Sequence, residues 1–305
     1  MRHLLILIAL FTCFCKGQIQ LTYLGEFGGT GTSSGLFKNP AAISISDDKR
    51  LFVCDRGNNR IQIFDLNGNY VREFGRFGWK AREFDEPVDI CVKSALNVYV
   101  ADYNNQRVQR FDRNLNYISI LTSNPGNDER FQFREVLGAV YSAQGDLFVL
   151  DAGENKVIKF SAQDQGQTAF GYYESGKGEL LKPVQLDLSS NQQVIVSDSE
   201  GHSIVIYDYF GNFIRKIEYV DMQQPRGISV DRQDRIYVAD VQTKAVFIFD
   251  LKGRLLGEIT DVGGIFLKSP RDCATFYQEK FRYRLYILDD DVVKIAELKY
   301  ILPGR

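Results

Sequence analysis

The stretch that decides the fold is Val53-Cys54-Asp55-Arg56-Gly57-Asn58-Asn59-Arg60-Ile61-Gln62-Ile63-Phe64-Asp65. Imperfect copies of it recur along the chain, each built around an aspartate that follows a short apolar run. These aspartates are Asp55, Asp102, Asp151, Asp198, Asp240 and Asp289. An aliphatic residue stands six positions after each aspartate, and nine positions after it stands Phe, Phe, Phe, Tyr, Phe and finally Leu. Because this register holds in all six copies, the sequence predicts a repeat protein.

Each copy has the pattern of an antiparallel strand pair. Two runs of alternating apolar and polar residues flank a turn rich in Gly and Asn, which tolerate the left-handed conformation that such a turn needs. We expect the aspartate to end the first strand and to accept hydrogen bonds from N–H groups of the turn. Successive aspartates are 47, 49, 47, 42 and 49 residues apart. This is the length of one four-stranded blade, so the repeats predict a single β-propeller domain.

The two ends of the chain are predicted to share a blade. The spacing from Tyr23 to Asp55 is 32 residues, the same as from Tyr70, in the last strand of the first full repeat, to Asp102. The predicted fold is therefore all-β, a six-bladed β-propeller of four-stranded antiparallel blades within residues 18–305. An N-terminal strand at residues 19–28 would complete the last blade as its outer edge. The repeats span about residues 37–75, 84–121, 133–170, 180–217, 222–259 and 267–302.

Three recurring features resemble a known family. Five repeats open with proline, at Pro40, Pro87, Pro183, Pro225 and Pro270, and the third opens with Val136. The Pro-x-x-Ile opening, the Val-x-Asp turn and the Phe-Gly-x-x-Gly connector are similar to NHL repeats. The resemblance covers about residues 18–302 and implies a six-bladed propeller, here in a secreted member of the family. Because this fold carries many activities, the function has to be argued from sites.

The N-terminal segment, residues 1–17, has the pattern of a secretory signal peptide. A basic start is followed by an apolar run over residues 4–15 and a passable cleavage site before Gln18. The protein is therefore predicted to be secreted or periplasmic. Lipid anchoring at Cys13 or Cys15 is less favoured because neither residue follows a small Gly or Ala. No other run approaches membrane length, so no transmembrane span is predicted.

Charge and cysteine content exclude several classes of protein. The chain has 37 basic and 39 acidic residues; cleavage would remove Arg2 and Lys16 and leave 35 against 39, a net charge near −4. Nucleic acid is not a predicted partner. The mature chain would keep Cys54, Cys91 and Cys273, an odd number that does not form a disulfide framework. A bridge between Cys54 and Cys91, in neighbouring blades, is the less favoured alternative.

The turns after the aspartates and the connectors between blades should emerge at one end of the ring, which we call the loop face. Candidate binding residues there are Phe77, Trp79, Lys80, Arg82, Tyr103, Arg107, Tyr172 and Tyr173, with Arg56, Arg60, Lys156 and Lys177 nearby. Exposed aromatic and arginine side chains suit recognition of a protein, peptide or glycan. The alternative is structural: Arg60 and Arg107 would pair with the repeat aspartates, and Trp79 would pack over a blade edge.

Two enzyme classes are implied by the same family resemblance. Amidating lyases use zinc held by several histidines, whereas this chain would keep only His202, which aligns with Asn59 and Asn155 in the repeat turn. Calcium-dependent lactonases use oxygen ligands, and Asp289-Asp290-Asp291 is the densest acidic cluster. We predict a monomeric, non-catalytic binding module without a cofactor. The alternative is a hydrolase or lactonase with calcium in the central channel, which acidic and amide side chains meeting in the channel would favour.

Overall fold

Residues 19–92, 97–126, 128–279 and 281–301 are described by a computed structural model. The predicted signal segment, residues 1–17, lies outside the described residues, and the localisation stays a prediction. In the described ranges no helix has the length and apolar character needed to cross a membrane.

Six four-stranded antiparallel sheets form the propeller, as predicted. Blade 1 consists of β2 (Ile43–Ile45), β3 (Arg50–Asp55), β4 (Arg60–Asp65) and β5 (Tyr70–Phe74). Blade 2 consists of β6 (Pro87–Cys91), β7 (Asn97–Asp102), β8 (Arg107–Asp112) and β9 (Tyr117–Thr122). Blade 3 consists of β10 (Val136–Tyr141), β11 (Leu147–Asp151), β12 (Lys156–Phe160) and β13 (Gly166–Phe170). Blade 4 consists of β14 (Pro183–Leu188), β15 (Val194–Asp198), β16 (Ser203–Tyr207) and β17 (Phe213–Glu218).

Blade 5 consists of β18 (Pro225–Val230), β19 (Ile236–Asp240), β20 (Ala245–Phe249) and β21 (Leu255–Ile259). The connector that follows it carries the short hairpin β22 (Asp261–Val262) and β23 (Ile265–Phe266). Blade 6 consists of β24 (Pro270–Glu279), β25 (Arg282–Asp289), β26 (Val292–Tyr300) and β1 (Ile19–Gly28). Short 3₁₀ helices cover Arg56–Asn58, Glu129–Phe131 and Tyr173–Gly178.

The N-terminal strand closes the ring, which confirms the prediction. β1 pairs with β26 in antiparallel register from Ile19 opposite Tyr300 to Gly28 opposite Val292, and it forms the outer edge of blade 6. Backbone hydrogen bonds between the two ends of the described chain therefore hold the last blade together.

Each repeat aspartate ends the first strand of its strand pair, as predicted, and this strand is the second strand of the blade. Its main partners differ from those expected. In every blade the carboxylate accepts backbone N–H groups from the connector that enters that blade; Asp55 accepts from Lys38, at 2.8 Å, and Asp289 from Lys268 and Ser269. Only some copies add an N–H of the turn, such as Gly153 to Asp151. The aspartate thus ties the connector to the blade.

The recurring spacing within the repeat reflects burial between blades. The side chains nine positions after each aspartate are almost fully buried; they are Phe64, Phe111, Phe160, Tyr207, Phe249 and Leu298. The Phe-Gly opening of the connectors has a separate cause. Gly75 has a φ of +93°, and a Cβ there would lie 2.4 Å from the buried ring of Phe84. Glycine is required where the connector turns over the residue that anchors it.

The three cysteines of the described chain are buried and form no disulfide with one another. Burial, followed by the negative charges of Asp89 and Asp272, raises the pKa of Cys54 well above that of an ordinary thiol. The side chains of Cys54 and Cys273 pack in the hydrophobic core, the role predicted for Cys273.

Candidate functional site

The first strand of every blade lines a narrow central channel, whose cavity measures about 60 Å³. One position, two residues after the repeat-opening proline (Val136 in the third repeat), alternates around this channel. Blades 2, 4 and 6 carry Asp89, Gln185 and Asp272 there, whereas blades 1, 3 and 5 carry Ala42, Gly138 and Gly227. Polar and small residues therefore alternate with three-fold pseudosymmetry.

Each of these polar side chains reaches to the next blade. Asp89 Oδ2 accepts the N–H of Ala139 at 3.2 Å, Gln185 Oε1 accepts that of Ile228 at 2.6 Å, and Asp272 Oδ2 accepts that of Ile43 at 2.8 Å. The small residues leave room for them. A Cβ on Gly227 would lie 2.3 Å from the Cα and 2.4 Å from Oδ1 of Asp272. The alternation is thus a set of equivalent hydrogen bonds that join one blade to the next.

The same three side chains also meet one another. Because the Gln185 amide oxygen accepts the Ile228 N–H, its NH₂ group faces the two carboxylates. It donates to Asp89 Oδ1 at 3.0 Å and to Asp272 Oδ2 at 3.3 Å. Burial raises the pKa of Asp89 to about 6, against the opposing effect of its hydrogen bonds. Burial, and then the charge of Asp89, also raises the pKa of Asp272 well above its usual value. The carboxylates of Asp89 and Asp272 are therefore protonated at higher pH than ordinary aspartates.

This arrangement does not fit a calcium ion. Calcium takes six to eight oxygen ligands, whereas the group between the two carboxylates is an amide NH₂, and their oxygens already accept backbone N–H groups. In the described ranges no three His, Cys, Asp or Glu side chains are grouped to hold a metal ion. The acidic cluster of blade 6 is also divided among structural contacts: Asp290 pairs with Arg271, and Asp291 accepts from Thr30.

The loop face displays several large apolar side chains. In the described part of the chain, the six most exposed large apolar side chains have exposed fractions between 64% and 82%. Five of the six lie on connectors of this face; they are Phe77 (64%), Trp79 (72%), Tyr173 (82%), Val220 (82%) and Phe266 (73%). The sixth, Phe210, lies in a turn at the opposite end of the ring. Trp79 therefore does not pack over a blade edge.

The other predicted binding residues divide into exposed and buried groups. Lys80 and Arg82 are exposed on the connector that carries Trp79, and Tyr172 is half-buried beside Tyr173. The structure does not bring these two groups together, because their connectors enter blades 2 and 4. Tyr103 is half-buried, with its hydroxyl donating to Glu135 at 3.3 Å.

Arg107 is not available on this surface. Its side chain is buried, with Nε 2.7 Å from Asp102 Oδ2, and its other nitrogens donate to connector carbonyls. Arg60 is placed in the same way, 2.8 Å from Asp55. For both arginines the structural role is therefore the one observed, and the prediction of Arg107 as an exposed binding residue is wrong. The burial of both partners and their constant separation along the chain explain why the pair recurs.

His202 has the turn role expected from its alignment. Its φ of +47° is left-handed, as are those of Asn59 (+57°) and Asn155 (+50°) at the equivalent positions. The ring Nδ1 contacts the carbonyl oxygen of Gln223, on the connector into the next blade.

Comparison with known families agrees with the repeat pattern. Residues 30–125 match a family described as a six-bladed β-propeller, and residues 222–249 match the NHL repeat. The chain is a six-bladed propeller in which an NHL repeat is found. Similar curated proteins include Protein brain tumor of Drosophila melanogaster and the B-box type zinc finger protein ncl-1 of Caenorhabditis elegans, each 32% identical over 127 residues, 41% of this chain. The match spans only 12% and 15% of those two proteins.

Solved structures show that this six-bladed propeller shares its fold with enzymes and with proteins of unknown function. A streptogramin B lyase superimposes with a TM-score of 0.62 at 13% identity, covering 92% of this chain and 97% of the lyase. A gluconolactonase from Xanthomonas campestris superimposes with a TM-score of 0.64 at 15% identity, covering 92% and 89%. A protein of unknown function from Bacteroides thetaiotaomicron reaches 0.66 at 14% identity, covering 92% and 76%. At these identities the likeness concerns the fold alone.

The channel residues of this six-bladed propeller were missed by sequence reasoning. Asp89, Gln185 and Asp272 follow the repeat-opening proline by two positions, and a comparison of that position alone would have shown the alternation with Ala42, Gly138 and Gly227. The signal lay in the contrast between odd and even repeats, which a search for features shared by all six does not detect.

Proposed function

We propose that this protein is a non-catalytic binding module that holds a partner polypeptide against its loop face. The observation that carries this proposal is the concentration of highly exposed apolar side chains on the connectors of one end of the ring. Exposed apolar surface of this kind is typical of interaction sites, and aromatic residues contribute strongly to binding when a partner buries them. A rigid ring suits this role because it presents the connectors without a large ordering cost.

The distribution of these side chains favours a polypeptide over a single sugar. They belong to four different connectors, those that carry Trp79, Tyr173, Val220 and Phe266. A surface spread over four blades matches the footprint of a protein interface better than that of one stacked sugar ring. A glycan ligand remains the alternative for the individual aromatic residues.

The hydrolase alternative has weaker support. Carboxylate and amide groups do meet in the channel, which is the feature expected of it, but their atoms are used in bonds between blades and with one another. The cavity of about 60 Å³ has space for a few water molecules. Sites for organic ligands usually measure roughly 300 Å³ or more.

The test compares capture by the wild-type protein and by three variants, Trp79→Ala, Phe266→Ala and the opposite-face control Phe210→Ala. All three side chains are mostly exposed, so melting temperatures should agree. We expect a partner retained by the wild type and by Phe210→Ala to be bound about tenfold or more weakly by at least one loop-face variant. Equal retention by all four proteins would show that this face is not the binding surface.

A further inference from the structure

The loop face contains an acidic groove that runs from the connector into blade 3 to the connector into blade 4. Two adjoining cavities of about 500 and 390 Å³ share Glu154 as a common wall, and we call them together the blade 3–4 groove. The first is lined by Tyr172, Tyr173, Glu179 and Leu181 in addition to Glu154. The second lies along the connector into blade 3. Both volumes fall in the usual range of ligand sites.

Negative charge dominates this groove. Five carboxylates line it, against the single guanidinium of Arg134; they are Glu129, Glu135, Asp151, Glu154 and Glu179. Lys156 is buried beneath it with Nζ 2.6 Å from Glu154, and Lys177 and Lys182 are exposed on the connector that carries Tyr173 but line neither cavity. The nearby guanidinium of Arg130 is already paired with Asp128 at 2.6 Å. Glu179 is half-buried at the groove and has neither a hydrogen bond nor an ion pair from its side chain to any described residue.

The charge of Asp151 adds to this field because blade 3 departs from the pattern of blades 1 and 2. In those blades the repeat aspartate is paired with an arginine, Arg60 or Arg107. Blade 3 has Lys156 at that position, and its ammonium group is directed to Glu154. Among the described residues, Asp151 receives backbone N–H groups but no side-chain cation. Lysine instead of arginine at this repeat position therefore leaves the Asp151 carboxylate in the groove without an opposing charge.

Aromatic surface lies next to these carboxylates. Tyr173 is 82% exposed, and Tyr172 lines the same cavity as Glu154 and Glu179. A cationic side chain is attracted both to a carboxylate and to the face of an aromatic ring, and the planar guanidinium of arginine suits the combination best. Neutral or acidic ligands would gain neither attraction.

We propose that the blade 3–4 groove binds an arginine- or lysine-containing segment of a partner polypeptide, with a cationic side chain in the cavity of Tyr172, Tyr173 and Glu179. This inference rests on the proposed function of the loop face and specifies the chemistry of one partner segment. The remaining carboxylates of the groove attract neighbouring cations of the same segment and accelerate its approach.

Calorimetric titration of the full protein with three end-blocked octapeptides tests the proposal. One contains four arginines alternating with leucine, the second has citrulline and the third glutamate in place of arginine. We expect the arginine peptide to bind more weakly as salt increases, and the citrulline peptide, which keeps the shape but not the charge, to bind at least about tenfold more weakly. The glutamate peptide should not bind. Undetectable binding of the arginine peptide, or equal affinity for the citrulline peptide, overturns the proposal.

Three variants locate the site. Glu179→Gln and Tyr173→Ser should each weaken binding of the arginine peptide by roughly three- to tenfold, whereas Phe210→Ala, at the opposite end of the ring, should leave its affinity unchanged. An unchanged affinity in both groove variants places the peptide elsewhere and refutes the groove. If the groove fails while Trp79→Ala or Phe266→Ala still loses the captured partner, the proposed function stands. If neither loop-face variant affects capture but the groove variants weaken the arginine peptide, the broad apolar surface is the part that fails.

Discussion

Replacing Asp89 with asparagine should change how the stability of this protein depends on pH. The folded pKa of Asp89 is raised from 3.8 to about 6. Between these values the folded state binds more protons than the unfolded state, so the free energy of unfolding falls as pH rises. A pKa raised by about two units lowers the free energy of unfolding by about 3 kcal/mol at pH 7. This destabilisation is absent near pH 4. Removing the Asp89 charge also lowers the pKa of Asp272, which adds a change of the same sign.

Urea unfolding of the wild type and Asp89→Asn between pH 4 and pH 7 measures this effect. Asparagine cannot replace every hydrogen bond of the carboxylate. That loss lowers the stability of the variant by nearly the same amount at every pH. We therefore expect the stability of the variant relative to the wild type to improve by about 3 kcal/mol between pH 4 and pH 7. In the half-buried control Asp112→Asn the relative stability should change little over this range, because hydrogen bonds from Asn116 lower the pKa of Asp112 and its effect on stability falls mostly below pH 4. A pH-independent difference between Asp89→Asn and the wild type would refute the assignment of a raised pKa to Asp89.

Two further substitutions, followed by urea unfolding, test a contact between blades and an ion pair within a blade. Gly227→Ala places a Cβ 2.3 Å from the Cα of Asp272 and should destabilise the protein by about 2–4 kcal/mol, whereas Gly126→Ala, on an open loop, should cost under about 1 kcal/mol; equal effects would contradict the close approach. Arg107→Ala leaves a buried aspartate without its cation and should cost about 3–5 kcal/mol, against under about 1 kcal/mol for Arg76→Ala, whose guanidinium is mostly exposed. A small effect of Arg107→Ala would show that the repeat aspartate does not need that partner.

The fold could be predicted because its determinants repeat. Six aspartates in fixed register identified the ends of the second strands, and the matching spacing of Tyr23 and Tyr70 identified the closing strand. Individual roles on the loop face could not be predicted in the same way. Arg107 and Trp79 are both side chains that suit binding loops, and only side-chain direction separates the buried ion pair from the exposed ring.

The channel and the groove escaped prediction because each depends on residues far apart in sequence. Asp89 and Asp272 meet through Gln185 only when the ring has closed. Likewise, the cavity that joins Glu154 to Tyr173 follows from the packing of blade 3 against the connector into blade 4. The residue types were visible in the sequence, but the repeat pattern specifies neighbours within a blade and not the directions of side chains across the ring.

The closing strand also has a consequence for synthesis of the chain. Ile19 pairs with Tyr300, so β1 leaves the ribosome long before its partner strand β26 exists. At about 5–20 residues per second, this interval is on the order of tens of seconds. During it β1 is an unsatisfied edge and the unfinished ring has two open ends, both of which can pair with another chain. Nascent chains therefore pass through an aggregation-prone stage, and a chaperone that holds β1 until β26 has been made would protect them.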